Sequence, residues 1–345
     1  MQIHNCHMHT FTIDHVPAHF LPFGLSTLMK IPLIRVPLRF LLINLNPFSH
    51  RDLFERYANF IKISTDKTQE DIFKVVRAYY PLSTRFVVLP MDMAYMDAGR
   101  VAVDIDAQHE ELYQLSRHPT YGPQIIPFAA VDPRRPGVLE KLKALVEEKS
   151  FKGIKLYPPL GYNPKHPNLL PVYEYAQSKN IPVMVHCSKG GVRSKKLSAE
   201  DAAHLADPDN YIEILEKFPR LRICLGHCGG DADWQHYLND PWDETSPHVD
   251  KSWLAKIMEF IRSGKYPNLY ADVSYTIFKF KDHSQLLKVL LQDSRVKERL
   301  LFGSDFYMAE QEQFSERQLA ISLRATLGED LFTQIVETNP KNYLG

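Results

Sequence analysis

The chain has 345 residues, 44% of them hydrophobic and 24% charged, which are the proportions of an ordinary soluble globular protein. Lys plus Arg and Asp plus Glu both total 41, so the formal net charge is zero and nothing favours nucleic acid or an anionic membrane as a partner. Cys6, Cys187, Cys224 and Cys228 make no disulfide framework, and no basic segment leads into an apolar signal stretch, so the expected location is the cytoplasm.

In chain order, the first expected strand covers 3–9 and ends in His7-Met8-His9. Strand side chains alternate, so the two imidazoles share a face and can reach one ion, while Cys6 and Met8 point the other way. Residues 11–60 follow as an apolar insertion. Within it, Pro22, Pro32, Pro37 and Pro47 break helices across 20–48, and Lys30, Arg35 and Arg39 interrupt the apolar run. A membrane-spanning helix needs roughly 20 nearly uninterrupted apolar residues. We therefore expect no span, and instead a lid over the site or a contact in a homo-oligomer.

From residue 84 onward, short apolar runs alternate with amphipathic stretches. Further strands are expected at 85–91, 125–131, 153–157, 182–186, 222–227, 269–273 and 300–305, most with the Val, Ile, Leu and Phe content of parallel strands buried on both faces. Helices lie between them. Pro136 opens 136–149, Pro208 and Asp209 start 207–218, and Gly264 stops 252–263. Eight strand-plus-helix units predict a (β/α)₈ TIM barrel, one domain over 1–345. Its long insertions follow strands one, five and six, at the C-terminal face where such barrels build their sites.

The polar residues at strand ends carry the chemistry. His186 ends strand five, His227 strand six and Asp305 strand eight, and Lys155 lies near the end of strand four. A lone His at a strand end is most often a satisfied polar residue, but here all converge with His7 and His9 on one mouth. Tyr157 shares the parity of Lys155 and either lines the pocket or fills the barrel. Arg193, in SKGGVRSKK, suits a carboxylate clamp or belongs to a solvated basic loop. Asp272, inside strand seven, either orients a ligand His or is a surface carboxylate. His236 and His248 read as loop residues of the strand-six insertion. Cys6, Cys224 and Cys228 have the wrong strand parity to join His7 and His227, and Cys187 follows His186 by one residue. All four are expected to pack in the helix layer.

The ordered motifs NCHMHTF, GIKLYPPLGYNP, PVMVHCS, LGHCGG, LFGSDF and ETNPKNYLG cover essentially the whole chain. On these the sequence resembles the amidohydrolase superfamily. It is most similar to the amidohydrolase-related branch, which includes lactonases and aminocarboxymuconate-semialdehyde-type decarboxylases. The resemblance implies metal ligation by His7, His9, His186 and Asp305. It makes His227 either a ligand of a second ion or an acid/base residue beside the substrate. In two-metal relatives the strand-four Lys is carbamylated. Lys155 thus implies either one ion, with a free amine that orients substrate, or two ions bridged by a carbamate; one ion is the first expectation.

Mixed His and carboxylate ligands suit zinc best. The expected activity is hydrolysis of an amide, ester or lactone carbonyl of a small molecule by a metal-activated water. Asp305 would take and pass on the proton, while His227 stabilises charge on the carbonyl oxygen. Lys155, Tyr157 and Arg193 are the candidate substrate contacts. Metal-dependent non-oxidative decarboxylation of a small carboxylic acid is the alternative, against which the GIKLYPP form of strand four counts. A non-catalytic metal-binding barrel comes third.

Overall fold

The computed structural model describes residues 1–21, 25–29, 31, 33, 37, 61, 63–65, 67–276, 281–306 and 316–345. The lid or oligomer contact expected of 20–48 falls for the most part outside these residues. Eight strands form in the expected places. They are β1 (His4–Met8), β2 (Arg85–Val88), β3 (Ile125–Ala130), β4 (Gly153–Leu156), β5 (Val183–Ser188), β6 (Ile223–Gly229), β7 (Leu269–Asp272) and β8 (Leu300–Leu301). They hydrogen-bond in chain order, and every neighbouring pair is parallel. Two further backbone bonds run from the last strand to the first: Cys6 N–H to Phe302 C=O and Asp305 N–H to His7 C=O, both 2.9 Å. The sheet thus curls back on itself as a (β/α)₈ TIM barrel. No helix among the described residues is long and apolar enough to cross a membrane.

The helices between strands follow their end signals unevenly. Trp253–Ser263 starts from Ser252, whose hydroxyl accepts the Ala255 N–H, and stops at Gly264 with φ 69°. The helix expected from Pro136 begins only at Val138, because Gly137 takes φ 65° and starts the helix after the proline. The stretch 207–218 divides into a 3₁₀ turn, Pro208–Tyr211, and the helix Ile212–Lys217. The Asp207 side chain caps the turn by accepting the Asp209 N–H.

Strand alternation divides the apolar side chains into two layers. Phe86, Val88, Ile154, Leu156, Val183 and Val185 join the large cluster beneath the helices. Val87, Ile126, Phe128, Met184, Tyr270 and Leu301 fill the barrel interior, closed below by Tyr343 of the C-terminal helix Asn339–Leu344. Cys187 and Cys228 lie in the outer layer as expected. Cys6 and Cys224 do not: both belong to the interior cluster. The correction has a backbone cause at each site. In β1, Asn5 pairs with Phe86 and Met8 with Val88, so three steps on β1 match two on β2. That bulge lets Cys6 and His7 both face inward. In β6, His227 takes φ 67°, which breaks strict alternation after Cys224.

Gly153 is where the interior is tightest. A Cβ there would fall inside the van der Waals radius of the fully buried Phe128 ring. Gly153→Ala is therefore expected to cost about 2 kcal/mol of stability, seen as a lower urea midpoint. Adding Phe128→Leu to the same chain should recover part of the loss. An alanine variant as stable as the parent would show that the interior is not packed this way.

Candidate metal centre

The two ends of the sequence meet at the mouth of the barrel. His7 and His9 stand one pleat apart on the end of β1, with ring centroids 5.3 Å from each other. Asp305 lies beyond β8, at φ 52°, and its backbone N–H is bonded to His7 C=O. Asn5 staples the preceding residue. Its side-chain oxygen accepts the Ser304 N–H at 3.0 Å, and its amide donates to Ser304 Oγ at 2.8 Å. With that backbone fixed, Asp305 Oδ1 is 4.0 Å from His9 Nε2. Ligand atoms of His7, His9 and Asp305 all lie within 4.8 Å of one another.

His186 and His227 complete the ring but stand to one side of that compact group. The His227 centroid is 4.6 Å from His7 and 4.8 Å from His186, and its Nδ1 is 4.0 Å from Asp305 Oδ2. Its inward aim comes from the backbone: His227, Cys228, Gly229 and Gly230 all have positive φ. His186 is stacked on Tyr157 with centroids 4.2 Å apart. The loop after β5 folds back over this pair. His186 Nε2 lies 2.9 Å from Gly190 C=O, and the Val192 N–H donates to the Tyr157 hydroxyl at 3.1 Å. Gly191, at φ 95°, is needed there, because a Cβ would approach Tyr157 Oη to 2.6 Å.

The imidazole partners test whether a cation fits. A carbonyl or carboxylate oxygen can only accept, so the ring nitrogen facing it must carry the proton. On that rule His7 donates through Nδ1 to Asp272 at 2.8 Å and His9 through Nδ1 to Leu89 C=O at 2.7 Å. His186 donates through Nε2 to Gly190. The opposite nitrogen of each ring is then a bare lone pair. His186 Nδ1 is buried and has no hydrogen-bond partner among the described residues. Burial also keeps the rings neutral. It pushes the pKa of His9 and His186 down to about 3 and holds His7 and His227 well below 6.5. Neutral imidazoles with one nitrogen locked by a protein acceptor have the form a metal ion requires. These residues fit a divalent cation.

A second group, His7, His227 and Asp272, is also compact. Here Asp272 serves as an orienting acceptor, because its oxygens already take the His7 ring proton, two backbone N–H groups and a hydroxyl. Lys155 is buried, with Nζ 3.4 Å from His7 Nε2. Burial lowers its pKa to about 8 against the opposing pull of Asp272 and Asp305. Asp305 is raised to about 7, by burial first, with Lys155 lowering it and Asp272 raising it. Arg193 is exposed on the β5 loop. His236 and His248 sit in the β6 insertion, where His248 pairs with Asp209 at 2.9 Å. Asn5, Ser274 and Ser304 went unnoticed in the sequence, where only Asn5 gave a signal, as a polar residue within a buried strand.

A family model described as amidohydrolase matches residues 73–345. No protein of curated function matches. Among solved structures, 4-oxalomesaconate hydratase from Rhodopseudomonas palustris is 18% identical with TM-score 0.56, covering 99% of this chain and 95% of that one. The 5-carboxyvanillate decarboxylase from Sphingomonas paucimobilis is 13% identical with TM-score 0.56, covering 99% and 98%. A probable 2-pyrone-4,6-dicarboxylic acid hydrolase from Acinetobacter baumannii is 13% identical with TM-score 0.55, covering 100% of each. At such identities these likenesses show the shared fold, and it is the family model, spanning well over half the sequence, that decides membership: the chain belongs to the amidohydrolase family.

Proposed function

We propose that this amidohydrolase is a metal-dependent hydrolase acting on an amide, ester or lactone carbonyl of a small molecule. One divalent ion, zinc first among candidates, would be held by His7, His9, His186 and Asp305. The observation that carries the reading is the two-sided placement of Asp305. Its Oδ1 faces His9 Nε2 and its Oδ2 faces His227 Nδ1, each at 4.0 Å. When bound, the ion supplies Lewis-acid polarisation and eases deprotonation of water. The second carboxylate oxygen of Asp305 stays free to accept a proton and hand it to the leaving group. His227, on the same side, stabilises charge that develops on the carbonyl oxygen.

Lys155 would orient an anionic oxygen of the substrate, beside Tyr157, whose ring is 5.7 Å from Nζ. A carbamylated Lys155 bridging a second ion is the alternative state, which a partly neutral amine permits. Arg193 would close on a substrate carboxylate from the β5 loop. Decarboxylation is the second reading. The likeness in fold to the 5-carboxyvanillate decarboxylase supports it, and there the Asp305–His227 side would deliver the proton to carbon.

Two measurements test the proposal. Zinc-loaded protein is screened against lactones, esters, amides and aromatic acids, following acid release and carbon dioxide separately. Acid release without carbon dioxide is expected, and Asp305→Asn should lower kcat about a thousand-fold. Carbon dioxide evolution, or an Asn variant within a few-fold of the parent, overturns the hydrolytic reading.

The second measurement is zinc affinity against pH, with elemental analysis expected to give one ion per chain. Because the Asp305 carboxyl is raised from 3.8 to about 7, the ion-free protein holds a proton between those values that zinc must displace. Affinity should therefore fall about tenfold for each pH unit below 7. The protonated carboxyl stabilises the ion-free fold at low pH, and that stabilisation is lost as pH rises through 7, so zinc should raise Tm more at pH 8 than at pH 5. A flat affinity profile from pH 5 to 7 would remove Asp305 from the ligand set.

A further inference from the structure

Asp272 is fully buried below the mouth, and donors surround it. Oδ2 accepts the His7 Nδ1–H at 2.8 Å. Oδ1 accepts the backbone N–H of His227 at 3.1 Å, the backbone N–H of Ser274 at 3.0 Å, and the Ser274 hydroxyl. The Cys224 thiol approaches Oδ2 at 3.9 Å. Backbone N–H groups cannot accept, so a carboxylate in this setting accepts on every side.

The direction of the next link follows from that. A serine hydroxyl has one proton, and here it is committed to Asp272. Ser274 Oγ therefore meets His227 Nδ1, 3.0 Å away, with a lone pair, and Nδ1 must carry the N–H. The other acceptors near this nitrogen are more distant: Ser274 C=O, at 3.4 Å, already takes the Thr276 N–H at 2.6 Å, and Asp305 Oδ2 is 4.0 Å away. His227 Nε2 is then left bare.

We propose that Ser274 is a positioning residue that fixes His227 in the tautomer with Nδ1 protonated and Nε2 unprotonated. The role rests on the reading of His227 as a member of the site. It makes one carboxylate govern two imidazoles, His7 by direct contact and His227 through a hydroxyl. It also means that His227 enters turnover as a proton acceptor at Nε2, and stabilises charge on a carbonyl oxygen or acts as an acid only after taking up a proton there.

The tautomer can be read without substrate or metal, by long-range proton–nitrogen NMR of ion-free protein labelled with ¹⁵N-histidine, with His227 assigned from the signals lost in His227→Asn. The wild-type protein should show a protonated Nδ1 and a bare Nε2. Ser274→Val, which removes the hydroxyl, should populate both tautomers, and Ser274→Thr, nearly isosteric with Val but keeping the hydroxyl, should restore one. In zinc-loaded enzyme Ser274→Val should lower kcat by about 10–100-fold, with Thr recovering most of it. A proton on Nε2 in the wild-type protein overturns the proposal, as does a Val variant with an unchanged tautomer. With His227 assigned, the wild-type spectrum decides even if the Ser274 variants fail to fold. A chain that releases no acid from any carbonyl substrate yet shows the stated tautomer refutes the hydrolase reading and leaves the role of Ser274 standing.

Discussion

The bonds from Cys6 N–H to Phe302 C=O and from Asp305 N–H to His7 C=O join the last strand to the first, and the site depends on them. In an open sheet the first and last strands would be edges, as far apart as the sheet is wide. Closure makes them neighbours, so a motif near residue 7 and a motif near residue 305 act as one unit. The second of these bonds joins the backbones of two proposed ligands directly. Their spacing is thus set by main-chain geometry, and the Asn5–Ser304 staple beside it holds the same seam. Side-chain rotamers have little left to decide.

Enclosing this seam in a barrel puts ionisable groups where water cannot screen them. Asp272 answers the resulting penalty by gathering donors around both oxygens. Lys155 and Asp305 answer it only in part: Lys155 is stabilised first by the charge of Asp272 and then by that of Asp305, and Asp305 by the charge of Lys155, while burial works against both. Of the unprotonated ring nitrogens, His186 Nδ1 has no hydrogen-bond partner among the described residues, and His7 Nε2 has the Lys155 amine at 3.4 Å. A cavity lined with lone pairs and a half-compensated carboxylate is poorly satisfied by itself and well satisfied by a small cation. The burial and the unprotonated ring nitrogens that are costly to the fold are therefore also what suits the site to a cation.

The barrel could be read from the sequence because its signals are local and repeated. Runs such as PVMVH and RICLGH mark strands buried on both faces, and polar residues at their ends mark the mouth. What escaped depended on local backbone departures or on isolated residues. The β1 bulge and the positive φ values from His227 onward cancel simple alternation, so Cys6 and Cys224 lie inside the barrel where parity had put them outside. Ser274 lies two residues past Asp272 and carries no pattern of its own; only its hydrogen bonds show its place. The fold of the β5 loop over His186 turns on Gly190 and Gly191, which in sequence look like any flexible linker. His186 was expected beside His7, His9 and Asp305. Its ring centroid lies 4.8 Å from that of His227, and its Nδ1 is buried without a hydrogen-bond partner among the described residues.

The left-handed run at the end of β6 separates aim from identity. Non-glycine residues pay roughly 1–2 kcal/mol for that conformation, and two occupy it in succession, at 227 and 228. In return, the backbone turns the side chain at 227 toward His7, His186 and Asp305 at the barrel mouth. Position 227 is thus a socket. A substitution there would change the group presented while leaving the backbone that aims it in place.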